Sequence, residues 1–244
     1  MTTRRILRLT GADTRSFLQG LVTNDVAKLD SGLVYAALLT PQGKYLADFF
    51  LVPDGEAVLL DVAEELADGL SKRLNMYRLR ADVAISQTEL NLQRGTGPAP
   101  EGAFADPRHP ELGWRAYTTD AEADDGSDWS ALRVAHCVPE TGIELTQDSY
   151  ILECGFERLN GVDFRKGCYV GQEVTARMKH KTELRKGLAQ VTIDGTEAPG
   201  TPITADGKPV GTLLTQSGTT ALAYLRFDRA TDAMQAGSAT VKRA

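Results

Sequence analysis

Cysteine is scarce in this 244-residue chain, with only Cys137, Cys154 and Cys168. Three thiols are an odd number and too few for a disulfide framework. Their spacings of 17 and 14 residues contain no Cys-x-x-Cys pair, so metal ligation by this chain alone, as zinc or an iron–sulfur centre, is not expected. Long apolar runs are missing too, and nothing approaches the roughly 18–20 residues of a membrane helix. The first fifteen residues, MTTRRILRLTGADTR, hold two early arginines but no apolar segment or small-residue cleavage site. These absences predict a protein of a reducing compartment, read here as cytoplasmic, with no membrane partner. A basic excess is lacking as well. Lys and Arg number 27 against 33 Asp and Glu, a net charge of −6. That balance argues against broad nucleic-acid binding, where phosphate contacts dominate, but leaves room for a local basic cleft. Gly-x-Gly-x-x-Gly, the P-loop, His-Glu-x-x-His and Gly-x-Ser-x-Gly are all absent.

What is present divides into three modules, over 1–88, 89–183 and 184–244. In the first, Ile6–Leu9 alternates as a strand, and a helix carrying Phe17, Leu18, Leu21 and Val22 follows Asp13. Leu33–Leu39 and Lys44–Val52 form a hairpin about Thr40-Pro41-Gln42-Gly43. A third strand runs over Ala57–Leu60, a helix over Val62–Tyr77 with Leu66, Leu70 and Leu74 at helical spacing, and a closing strand over Ala81–Ile85. The middle is less regular. It offers a strand at Glu89–Leu92, loops over 95–110 and 120–128, and a helix over Trp129–Cys137. After Leu184, short alternating runs between Gly- and Pro-bearing turns predict a small all-β module, a barrel or sandwich.

The densest polar segment is Asn160–Lys181, NGVDFRKGCYVGQEVTARMKHK. Cys168 follows Arg165 and Lys166 and precedes Arg177, Lys179, His180 and Lys181. Cations near a thiol favour the thiolate, and a helix opened by Gly171 would add to that effect. Gly167 and Gly171 bracket the cysteine as in a tight turn whose backbone approaches a neighbour. The residues alone leave two readings open, a reactive thiol and a buried structural cysteine beside a solvated basic face. His109, His136 and His180 are weak candidates for a Cys–His pair. Asp48, inside the apolar run Tyr45–Leu51, could bond the amide edge of a heterocycle or serve as a base; it could equally face water from a strand end. Glu153 has the same ambiguity.

Lys166-Gly167-Cys168-Tyr169-Val170-Gly171-Gln172-Glu173 resembles the K-G-C-Y-x-G-Q-E signature of the YgfZ family of folate-binding proteins. Phe17–Asp25, Leu39–Lys44, Tyr77–Val83 and Arg158–Phe164 are similar to that family too, so the resemblance spans roughly residues 5–190. It implies an α+β fold related to the aminomethyltransferase of glycine cleavage, with two folate-binding modules and a C-terminal β-barrel around a central channel. It also implies a tetrahydrofolate cofactor and a role in making or repairing iron–sulfur enzymes, with assembly factors or client enzymes as partners. Tyr35, Asp48, Glu153 and Arg185 resemble channel-lining, folate-binding positions, and Cys168 the reactive thiol. The stretch 95–128 is short for the family's second module, as if a helix were missing. The signature cysteine, absent from aminomethyltransferases, favours the iron–sulfur role over folate-dependent one-carbon transfer, the competing reading.

Overall fold

The computed structural model describes residues 3–181 and 183–243. The chain clusters into two units, one of residues 1–127 with 157–174, the other of residues 128–156 with 175–244.

The first unit is built on a five-stranded sheet. Strands β1 (Arg4–Thr10), β2 (Val34–Leu39), β3 (Tyr45–Asp54), β4 (Ala57–Ala63) and β5 (Ala84–Gln87) take the order β2-β3-β4-β1-β5. The expected hairpin is present, with Val34 opposite Leu51 and Ala37 opposite Asp48. Side chains alternate between the two faces of a strand. One face sends Val34, Ala36, Leu38, Ala47, Phe49, Leu51, Leu60 and Val62 into an apolar core. Helices α1 (Thr14–Gln19) and α2 (Glu64–Arg78) cover it with Leu18, Ala67, Leu70 and Leu74. Glu64 and Glu65 in the first turn of α2 and Arg78 in its last complement the helix dipole. The first helix is shorter than expected. Leu21 lies beyond it in a turn and Val22 in a β-bridge to Leu38, and both are still buried. The closing strand starts three residues later than expected, after a turn at Ala81–Val83.

A smaller sheet in the same unit joins β6 (Asn91–Gly95), β7 (Phe104–Ala105), β8 (Trp114–Thr118) and β9 (Ala123–Asp124), in the order β7-β8-β6-β9. Three of these strands, β7, β8 and β9, fall in stretches whose sequence predicts a loop or no regular element. Two are only two residues long, too short to show a period. No described residue of 96–128 is α-helical; the stretch holds a 3₁₀ turn at Pro110–Leu112.

The second unit holds helix α3 (Trp129–Ala135) and most of α4 (Gln172–Lys181), the helix that Gly171 precedes. Its β structure is a closed six-stranded barrel of β10 (Lys186–Asp194), β11 (Pro202–Ala205), β12 (Lys208–Ser217), β13 (Thr220–Arg226), β14 (Met234–Ala236) and β15 (Ala239–Arg243). Closure removes sheet edges. Val191, Ile203, Leu213, Ala223, Leu225, Met234 and Val241 fill the interior. The architecture is therefore α+β with a C-terminal barrel, as expected.

Candidate functional site

The second face of the five-stranded sheet sets polar groups among buried apolar ones such as Ile6, Ala37, Val52 and Leu59. Asp48 and Phe50 are two residues apart on β3, and register sets Tyr35 and Asp61 on either side of Phe50. All four are buried. Asp48 does not face water: Tyr35 Oη donates to its Oδ2 at 3.0 Å and Tyr45 Oη to its Oδ1 at 2.6 Å. Burial and the charge of Asp48 raise the Tyr35 phenol well above its ordinary pKa, so it stays a donor.

Beside this pair lies a buried ionic array that sequence reasoning missed. Asp61 accepts from Arg4 Nε at 2.6 Å, Arg115 Nη2 at 2.6 Å and Tyr117 Oη at 2.9 Å. Asp106 accepts from Arg108 Nε at 3.0 Å and Nη2 at 2.7 Å. Guanidinium groups of Arg115, Arg108 and Arg4 lie 4.0, 4.8 and 5.9 Å from the Phe50 ring centre, and Arg108 also lies 5.5 Å from that of Tyr35. Burial works to raise the Asp61 carboxyl, but Arg4 and Arg115 outweigh it and hold its pKa at about 2. A signal for Asp61 was present. Like Asp48, it is a carboxylate inside an apolar run, Val58–Ala63.

The family-like segments of the first unit meet around the loop that carries Cys168. Thr23 Oγ1 donates to Gly161 O at 2.7 Å, and Asn24 Nδ2 to Asn160 O at 2.6 Å and Tyr35 O at 2.8 Å. Lys166 extends its ammonium to the carbonyls of Gln19 (2.7 Å) and Val22 (2.5 Å). Its charge is therefore committed to the turn after α1, and burial lowers its pKa to about 8. Gly171, at φ +83°, has no room for a side chain; a Cβ there would sit 2.6 Å from Thr40 O and 3.1 Å from Gly43 Cα. The hairpin turn and the cysteine motif thus touch backbone to backbone, as expected for Gly171 but not for Gly167. A Cβ on Gly167 would meet nothing within 4 Å. Tyr169 is buried, whereas Cys168 is exposed. Anchors on either side, Lys166 and Tyr169, hold the thiol outward. Gln172 and Glu173 open α4, with Glu173 in its first turn; the side chain of Lys181 lies outside the described residues. By contrast, Cys154 is buried, and burial pushes its thiol up to about 12.

In the second unit Glu153 is buried, accepts from Tyr224 Oη at 2.5 Å, and lies 3.8 Å from Lys186 Nζ. It borders an open cavity of about 330 Å³ shared with Arg185, Lys186 and Arg226. Among the described residues no three His, Cys, Asp or Glu side chains gather as a metal site. No helix among them is long and apolar enough to cross a membrane.

Comparison with known proteins adds a family. A model described as the CAF17 C-terminal beta-barrel domain matches residues 185–244. The chain is 33% identical to the mitochondrial iron-sulfur cluster assembly factor IBA57 homolog of Mycosarcoma maydis, over 80% of this chain and 57% of that protein. It therefore spans little more than half the length of that relative. The mitochondrial IBA57 proteins of Mus musculus and Homo sapiens are 30% and 31% identical, over 92% and 91% of this chain and 76% and 75% of theirs. Among solved structures, the glycine cleavage system aminomethyltransferase T from Bartonella henselae superposes with a TM-score of 0.75. The match covers 99% of this chain and 82% of that one at 12% identity, and so shows the fold alone. The mitochondrial names overturn the expected cytoplasmic location. Scarce disulfides separate oxidising from reducing compartments and cannot tell one reducing compartment from another. The chain belongs to the family of the iron–sulfur cluster assembly factor IBA57, within the wider CAF17/YgfZ-like group, on an aminomethyltransferase-like fold.

Proposed function

We propose that this protein is a YgfZ-type accessory factor for iron–sulfur cluster assembly or repair, that it binds tetrahydrofolate, and that Cys168 is its working thiol. The observation that carries the reading is the exposed Cys168, held outward where the family-like segments cross, in a chain whose relatives are named as assembly factors. One cysteine supplies one ligand. Contact with a cluster would need further ligands from an assembly factor, a client enzyme or glutathione.

Tyr35, Asp48, Glu153 and Arg185 are the proposed folate-binding residues. Their chemistry fits the group: carboxylates accept from the amino and amide edge of a pterin, and the Arg185 side of the Glu153 cavity suits an anionic glutamate tail. Both oxygens of Asp48 already accept from phenols, an arrangement that suits an anchor better than a proton-abstracting base. That favours the accessory role over one-carbon transfer. Lys166, Gly167, Tyr169, Gly171, Gln172 and Glu173 support the thiol. The division into modules 1–88, 89–183 and 184–244 has support from the three sheets, which occupy residues 4–87, 91–124 and 186–243.

Titrating tetrahydrofolate into wild-type, Asp48→Ala and Glu153→Ala protein tests the binding. Restoration of iron–sulfur enzyme activity in cells lacking the factor, by wild-type protein but not by Cys168→Ser, tests the thiol. Folate-dependent transfer lost in Asp48→Asn, with Cys168→Ser silent, would favour the transferase instead.

A further inference from the structure

The solvent side of α2 ends in a feature used neither by the core nor by the folate reading. Leu79 follows the last helical residue at φ 47° and ψ −101°, a region that suits glycine and strains a bulky side chain. Nothing covers that side chain. Leu79 is 87% exposed and Met76, on the same stretch, 76%. Helical spacing sets Lys72 and Arg73 beside Met76, and Arg80 follows Leu79; all three cations are exposed. None of the three has a hydrogen-bond or ion-pair partner among the described residues, although Arg4, Arg5, Arg8 and Arg15 of the same unit all pair with carboxylates. The turn itself is well held: Arg78 Nη1 donates to Val83 O at 2.9 Å and Ala81 N–H to Arg78 O at 2.8 Å.

We infer that Lys72, Arg73, Met76, Leu79 and Arg80 form a docking surface for an acidic protein partner, with Leu79 and Met76 entering an apolar socket ringed by carboxylates. Charge argues for that occupant, since this unpaired basic rim stands on a chain of net charge −6. A second copy packed by two-fold symmetry would set the same cations against each other. A lipid surface would receive only two apolar side chains, far less than the apolar face of a membrane-lying helix. Leucine in a glycine-type conformation, left in water, lowers the stability of the free protein. Its apolar contact is realised only when something covers it.

The test uses the full chain and a labelled helical peptide with leucines on one face and glutamates around them. Fluorescence anisotropy is read at low and physiological salt, beside vesicles of phosphatidylserine and phosphatidylcholine. Wild-type protein is expected to bind the peptide in a salt-dependent way. Leu79→Gly and Arg73→Glu/Arg80→Glu should each weaken binding about tenfold or more, while Leu79→Gly melts at or above the wild-type temperature because glycine relieves the backbone. Three results would overturn the proposal: no peptide binding by wild type, unchanged binding by Leu79→Gly, or a lower melting temperature for that variant, which would make Leu79 structural. Binding to the vesicles without binding to the peptide would assign the surface to membranes instead.

Discussion

Asp48 is held by two phenols that come from its own strand and the neighbouring one, so its geometry is set before any ligand arrives. Asn at that position keeps the shape but replaces one accepting oxygen with a donor facing a phenol. Asp48→Asn is therefore expected to weaken tetrahydrofolate binding about tenfold or more in calorimetry, the loss of one charge-assisted contact. Tyr45→Phe should cost about 1–3 kcal/mol by leaving a buried acceptor short of a partner, seen as a melting temperature lower by several degrees. The three thiols should separate kinetically. With a water-soluble disulfide reagent, exposed Cys168 should react first and Cys154 last, because burial withholds the Cys154 sulfur and disfavours its thiolate. Cys168→Ser should leave Tm unchanged, since exposed substitutions typically stay within about 0.5 kcal/mol. Equal labelling of all three sulfurs would contradict the buried placement of Cys154.

Among the elements, the contact between the 40–43 turn and the cysteine motif gives a paired prediction. Gly171→Ala puts a methyl group 2.6 Å from Thr40 O at a positive φ, so the turn and the motif must part. A loss of about 2 kcal/mol or more is expected in denaturant titration. Gly167→Ala meets open space and should be neutral or stabilising by up to about 1 kcal/mol. The sequence suggested a close approach at both glycines. Only the fold separates them, because the neighbour that crowds Gly171 comes from about 130 residues earlier in the chain. Periodicity served well where an element is long and one-sided, as in α2. It failed for β7 and β9, whose pairing is decided by the strands beside them.

For the molecule as a whole, the buried charges of the first unit should govern behaviour in acid. Arg4 and Arg115 depress the Asp61 carboxyl to about 2, below its unfolded value near 4. Its contribution is thus fully present above pH 4 and is lost as pH falls towards 2, on the order of 2 kcal/mol. Asp106, lowered by Arg108 against the opposing effect of burial, acts in the same direction. Urea midpoints should therefore fall steeply between pH 4 and pH 2. Asp61→Asn should flatten that slope and also cost about 3–5 kcal/mol at neutral pH, because buried guanidinium groups are left short of a counter-charge. An unchanged acid slope in Asp61→Asn would show that other carboxylates carry it.

By itself the sequence determined the fold class, an all-β module at the C-terminus, the hairpin under Asp48, and the segments that mark the family; that the C-terminal module closes into a barrel is decided by its strand pairing. Each of the former is written in local periodicity, in turn residues or in short contiguous motifs. It could not decide whether Cys168 was buried, that Asp48 is tied to Tyr35 and Tyr45, or that Asp61, Asp106 and three arginines form one ionic array around Phe50. Those facts depend on which strands become neighbours and in which register. That choice is made by burial of the whole apolar face at once, and no short window of residues contains it.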